Sequence, residues 1–198
     1  MVSMIDYSQH KEQAHILRYF RAATGTFLDI GANDGRTFSN THALALAGWR
    51  GVCVEPTPAA FDSLSTTYAH RPDIQRVEAA ITAADGRVKM QVASDTLVSS
   101  LDVRAPGSWE GYNFTWTEIE VEGLSFATFL ERSAYKTFDF VNIDAEGHDL
   151  TILAQMDLSA LGCRCLCIEH GGKINEIKDL CAGMKELHRN GVNLIMVR

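Results

Sequence analysis

The chain has 198 residues, 46% of them hydrophobic and 22% charged, a balance that excludes a disordered tail, a collagen-like fibre and a low-complexity scaffold. Lys plus Arg is 18 and Asp plus Glu is 25, so the net charge is −7, which argues against a broad phosphate-backbone interface because that needs a basic face. At roughly 150 residues per domain the length predicts one domain over residues 1–198, and no apolar run reaches the ~18 residues of a membrane-spanning helix.

The chain alternates helical patterns with short apolar runs, which predicts βαβ units and a parallel sheet. Ser8 is placed to cap a helix over 8–22, with Ala14, Ile16, Leu17, Tyr19 and Phe20 on its apolar stripe. Residues 26–30 read as a buried strand running into a glycine turn. A helix over 39–47 ends at Gly48. A strand over 52–55 is stopped by Pro56, and a helix follows over 59–69. Strands are predicted over 75–81 and 87–92, joined through Asp85-Gly86. The aromatic-rich stretch 94–117 reads as a long loop or lid over substrate. Beyond it come a strand (118–121), a helix capped by Ser125 (125–132), a strand (138–143), a helix (149–156), a strand (163–168) and a helix (174–182). Asn190-Gly191 between 184–189 and 192–197 is a strong hairpin signal, so the parallel sheet is expected to end in an antiparallel hairpin.

Residues 1–10 carry no basic patch followed by an apolar stretch, so no signal peptide is expected. Five cysteines, three of them alternating as Cys163, Cys165 and Cys167 on one face of a strand, read as buried thiols of a reduced, cytoplasmic protein rather than as disulfides or a metal site.

The candidate site begins at the glycine turn. Asp29 stands where a dinucleotide fingerprint has its first glycine, and Gly31 and Gly35 follow. A carboxylate there repels a pyrophosphate and suits an amino group. Glu55, ending the next strand, can accept both hydroxyls of a ribose. An amino group, a ribose and no phosphate describe S-adenosylmethionine. Asp29→Ala or Gly31→Val is expected to abolish cofactor binding and leave the fold intact.

Ligands of open α/β sheets sit beyond the carboxyl ends of the strands. Two further groups lie at such ends: Asp144 with Glu146 and His148, and Glu169 with His170. His148 or His170 is a candidate base for deprotonating a hydroxyl. Asp144, Glu169 and His170 are alternatively candidate ligands for a divalent cation such as Mg²⁺. For His15, His42, His70 and His188 the plainer reading is structural.

These motifs together resemble the FkbM-like family of class I methyltransferases. The matching stretches are Tyr7-Ser8-Gln9, FLDIGANDG (27–35), Ser39-Asn40-Thr41, GWRGVCVEP (48–56), NIDAEGHDLTIL (142–153), CIEH (167–170) and the final VNLIMVR. The resemblance implies a Rossmann-like α/β fold: a mostly parallel seven-stranded sheet with helices on both faces. It implies that Asp29, Gly31, Ala32, Asn33 and Gly35 contact the methionine part of the cofactor. Glu55 with Pro56 would serve the ribose, Ala80 the adenine, and Asp144 and Glu146 would face the transfer site. The family's usual valine is Ala145 here, and its N-terminal acid pair is Glu12-Gln13. By the same resemblance the acceptor is a hydroxyl on a sugar, glycan or natural product. A nucleic-acid methyltransferase, a catalytically inactive cofactor-binding module and a nicotinamide oxidoreductase are the competing readings. The first is disfavoured by the net charge, the second by the intact acids, and the third by the missing first glycine.

Overall fold

The computed structural model describes residues 5–93, 99–100 and 115–198. The chain runs α1 (Glu12–Phe20), β1 (Thr26–Ile30), α2 (His42–Leu46), β2 (Arg50–Val54), α3 (Pro58–Thr67), β3 (Ile74–Val77), β4 (Ala80–Ile81), β5 (Gly86–Ala93), β6 (Ser99–Ser100), β7 (Trp116–Leu124), α4 (Phe126–Arg132), β8 (Phe140–Ile143), α5 (Asp149–Leu153), β9 (Cys165–Glu169), α6 (Ile174–Leu180), β10 (Lys185–Arg189) and β11 (Asn193–Val197).

Seven strands form one sheet in the order β10-β11-β9-β8-β1-β2-β3. β11 is antiparallel to both neighbours, and the remaining pairs are parallel. Strand order reverses between β1 and β8, which opens a crevice at their carboxyl ends.

The pleat explains why the central strands are apolar on both sides. Leu28, Ile30, Val52, Val54, Val141, Ile143, Leu166 and Ile168 pack into one core with Phe129 of α4, Ile152 of α5 and Ile177 of α6. Phe27, Cys53, Phe140, Cys165 and Cys167 face the other way, onto Ile16 and Phe20 of α1, Leu44 of α2 and Leu64 of α3. The cysteines depart from the expectation in one respect. Cys163 precedes β9 and joins the first core, while Cys165 and Cys167 join the second. All five cysteines are buried free thiols. No helix among the described residues is long and apolar enough to cross a membrane.

Helix starts follow local hydrogen bonding. The Ser125 side chain caps α4 by accepting from the Thr128 N–H. Ser125→Ala is expected to cost about 1 kcal/mol, or about 2–4 °C in melting temperature for a chain this size; an unchanged melting curve would show the cap to be dispensable. α1 begins later than expected. Lys11 occupies its N-cap with φ 72°, and Ser8 Oγ instead accepts from the Gln13 N–H at 3.1 Å.

The largest departure is a second sheet, β4-β7-β5-β6. The predicted strand over 75–81 divides: β3 stays in the main sheet, while β4 pairs with β7. β5 and β7 form an antiparallel ribbon in eight-pair register from Gly86↔Gly123 to Ala93↔Trp116. Its inner face buries Met90 and Val121 with Ala80. Its outer face carries Lys89–Glu118 and Arg87–Glu120 ion pairs at 2.7 and 3.6 Å. Most of the expected 94–117 lid lies outside the described residues. At its ends, Ser99–Ser100 and the first residues of β7 are strand rather than loop.

Candidate active site

The in-register pairing of Ile30 with Val54 and Ile143, and of Ile143 with Ile168, brings the predicted groups to one edge. Gly31, Glu55, Asp144 and Glu169 therefore stand in a row at the carboxyl ends of adjacent strands.

The glycine turn is pinned on both sides. The Gly31 and Ala32 N–H groups donate to the Val54 carbonyl, and the Asp144 N–H donates to the Ile30 carbonyl. Gly31 has φ 82°, and a Cβ on it would meet the Asp144 carbonyl oxygen at 1.7 Å. Glycine is thus required here by the approach of two backbones, so the expected Gly31→Val variant cannot keep the fold intact. Asn33, also in the left-handed region (φ 47°), donates its N–H to Glu55 Oε2 at 2.9 Å. Glu55 Oε1 accepts from the Thr57 N–H at 2.8 Å, just past Pro56. Two backbone donors thereby fix the Glu55 carboxyl at the head of β2. Burial raises its pKa, opposed by those donors.

Asp29 is 2% exposed and sits one residue below the turn. It accepts from Thr41 Oγ1 at 2.5 Å and from Asn142 Nδ2 at 2.9 Å. Burial raises its pKa and these two bonds lower it. Asp29→Ala would strip both donors of a buried partner, so it too is a structural as well as a binding change. Ala80 lies in β4, its methyl buried with Met90 and Val121 and 5% exposed, which leaves little side-chain surface for an adenine.

Beyond β8 the chain makes a strained turn. Glu146 has φ 47° and Gly147 φ 99°. Asp149 accepts from the Ala145 and Gly147 N–H groups at 2.8 and 3.0 Å and so builds that turn. From the sequence Asp149 reads only as the first residue of a helix; its partners lie in the turn that precedes that helix. His148 takes the N-cap position of α5, its Nδ1 buried without a partner among the described residues.

The carboxyl groups crowd one another. Burial, then Glu169 and Asp149, hold the Asp144 pKa well above the usual range. Burial, then Asp144 and Asp149, push Glu146 up to about 8. Burial, then Asp149 and Glu146, push Glu169 up to about 8 as well. Glu146 and Glu169 are therefore largely protonated at neutral pH. Glu146 and Glu169 have folded pKa values above the ordinary glutamate value of 4.5, so their contribution to stability is full below about 4.5 and is lost as pH rises through about 8. Glu169→Gln removes one such loss. Its melting temperature is expected to exceed that of the parent at pH 9 by roughly 2–4 °C and to match it near pH 4. A parallel pH dependence in the two proteins would contradict this origin.

His170 does not serve as expected. Its Nδ1 accepts from the Gly172 N–H at 3.0 Å, which puts the proton on Nε2, and Nε2 faces the Asn190 carbonyl at 3.2 Å. Both nitrogens are spent on backbone, so the ring has no free lone pair for a base or for a cation. Among the described residues no group of three or more His, Cys, Asp or Glu is arranged to hold a metal. The cation site expected at Asp144, Glu169 and His170 is not formed.

The fit to a nucleoside carrying an amino acid rests on unmet acceptors. Asn33 Oδ1, Asn40 Oδ1 and Thr57 Oγ1 are buried without partners among the described residues. Asn33 and Thr57 flank Glu55, and Asn40 lies beside Asn142 and, through it, Asp29. Residues 29–192, most of the chain, match the family described as the methyltransferase FkbM domain. The chain belongs to the FkbM methyltransferase domain family. Among solved structures, the methyltransferase FkbM from Methylobacillus flagellatus KT is similar at 14% identity and a TM-score of 0.56, covering 87% of this chain and 43% of that longer one. An O-methyltransferase from Bacillus cereus, solved with SAH, is similar at 14% identity and a TM-score of 0.50, covering 98% and 83%. At these identities the two structures support the class I methyltransferase fold. Comparison with curated proteins gives no match.

Proposed function

We propose that this FkbM-family protein transfers a methyl group from S-adenosylmethionine to a hydroxyl of a sugar, glycan or natural product. The observation that carries the reading is the juxtaposition of the backbone-pinned Gly31 turn and Glu55 with the crowded strand-end carboxyl Glu146. S-adenosylmethionine supplies a methyl group on a sulfonium, with a thioether as leaving group.

The residues of the chain do the rest. Glu55, held by the Asn33 and Thr57 N–H groups, keeps lone pairs for the two ribose hydroxyls. Asp29 and the turn at Gly31, Ala32, Asn33 and Gly35 present acceptors and backbone to the amino-acid end. A hydroxyl is a weak nucleophile until its proton is taken. Glu146, with a pKa of about 8, is a far stronger base than an ordinary carboxylate and is our choice for that proton. Burial, and then Asp144 beside it, hold the Glu146 pKa up, and His148 is the alternative acceptor.

The deciding experiment is calorimetric titration with S-adenosylhomocysteine, using NAD as control. Micromolar binding, roughly −8 kcal/mol, with no response to NAD supports the assignment and starts an acceptor screen with sugars. Folded protein that binds neither ligand refutes it.

A further inference from the structure

The orientation of one buried amide determines what it can bind. Asp29 takes its two side-chain donors from Thr41 Oγ1 and from Asn142 Nδ2, the latter 2.9 Å from Asp29 Oδ1. That leaves Asn142 Oδ1 facing Asn40, and Asn40 must in turn donate its Nδ2, at 3.0 Å. The same Nδ2 also lies 3.6 Å from Cys167 Sγ. The relay from Asp29 through Asn142 thus fixes which end of the Asn40 amide is which. Its Oδ1 is left buried with no partner among the described residues, on a side chain only 6% exposed.

A buried carbonyl oxygen without a donor costs about 1–3 kcal/mol. Three strands and the loop before α2 hold this one in place, next to the Asn142 amide that donates to the Asp29 carboxyl at the end of β1. An unmet acceptor held beside a carboxyl group suits a donor carrying positive charge. Resting on the S-adenosylmethionine reading above, we infer that Asn40 Oδ1 is a second acceptor, with Asp29, for the α-ammonium group of the cofactor's amino-acid end. Asn40 is then a binding residue that tells an amino-acid-bearing nucleoside from one without an ammonium group. Thr41, the next residue, serves the same pocket from the other side by donating to Asp29 Oδ2.

The test compares two ligands on two proteins. S-adenosylhomocysteine and its deamino analogue, which keeps the carboxylate but lacks the ammonium, are titrated into the parent and into Asn40→Ala. The expected result is a loss of roughly tenfold to a hundredfold for S-adenosylhomocysteine in Asn40→Ala, the range for a hydrogen bond to a charged group. The deamino analogue should bind both proteins within about twofold. Equal losses for both ligands, or none for either, would overturn the assignment and leave Asn40 a structural residue. Failure of the parent to bind S-adenosylhomocysteine would instead overturn the cofactor reading on which it rests. Asn40→Ala leaves Asn142 Oδ1 without its donor and can unfold the pocket. Side-chain amide resonances of Asn40 in the parent then decide. They should shift with S-adenosylhomocysteine and stay in place with the deamino analogue; the same shift with both ligands counts against the ammonium contact.

Discussion

Gly31→Ala should lower the melting temperature by roughly 4–20 °C, whatever its effect on ligand binding. Two independent costs fall on the one methyl group. It would sit 1.7 Å from the Asp144 carbonyl oxygen, a backbone atom that cannot rotate away. It would also have to adopt φ 82°, which costs a residue with a Cβ about 1–2 kcal/mol. Overpacking adds about 1–3 kcal/mol, and at about 2–4 °C per kcal/mol the sum gives the range above. Relief requires β1 and β8 to part, yet they are paired from Phe27↔Phe140 to Ile30↔Ile143 at the centre of the sheet. The measurement is thermal unfolding without ligand, and a change below about 2 °C would mean that the two backbones separate freely.

Glu146→Gln should lower turnover by about 10²–10⁴-fold, the usual contribution of a general base. Affinity for S-adenosylhomocysteine should change little, because Glu146 is assigned to the proton of the acceptor hydroxyl, while Asp29 and Glu55 are the acceptors assigned to the cofactor. The pH profile separates a base from a merely structural residue. With a pKa of about 8, Glu146 is largely protonated at pH 7, and only its ionised form accepts a proton. The parent's kcat should therefore rise about tenfold per pH unit below pH 8 and level off above it, and Glu146→Gln should lose that rise. A rise that persists unchanged in the variant would move the base to His148. Equal falls in kcat and cofactor affinity would assign Glu146 to binding instead.

Much of this site could be read along the chain because its signals are local. Asp29-Ile30-Gly31 announces a strand running into a turn, and Glu55-Pro56 announces the end of the next strand. The apolar runs at 138–143 and 163–168 place Asp144 and Glu169 at strand ends in the same way. The second sheet is only partly visible in the sequence. Val88, Met90 and Val92 alternate with Arg87, Lys89 and Gln91, the pattern of a sheet with one wet face. What periodicity does not carry is the partner, and β5 pairs with β7 some 30 residues on.

His170 shows the limit most plainly. In sequence it is a histidine beside a strand-end acid, the pattern of a base. In space, the Gly172 N–H and the Asn190 carbonyl take both of its nitrogens. Glu146 and Glu169 are the converse: the sequence marks them as strand-end acids, and only burial beside Asp144 and Asp149 makes them stronger bases than an ordinary carboxylate.

The sequence alone determined the alternation of strands and helices, the two-faced core and the order of acids along the strand ends, since these follow from backbone propensity and side-chain periodicity between near neighbours. Only the tertiary structure decided the rest. The need for glycine at 31, the amide relay from Asp29 to Asn40, the spent nitrogens of His170 and the protonation of the crowded carboxyls arise from groups brought together by folding. Hydrogen bonding and desolvation depend on distance in space, which sequence separation does not set.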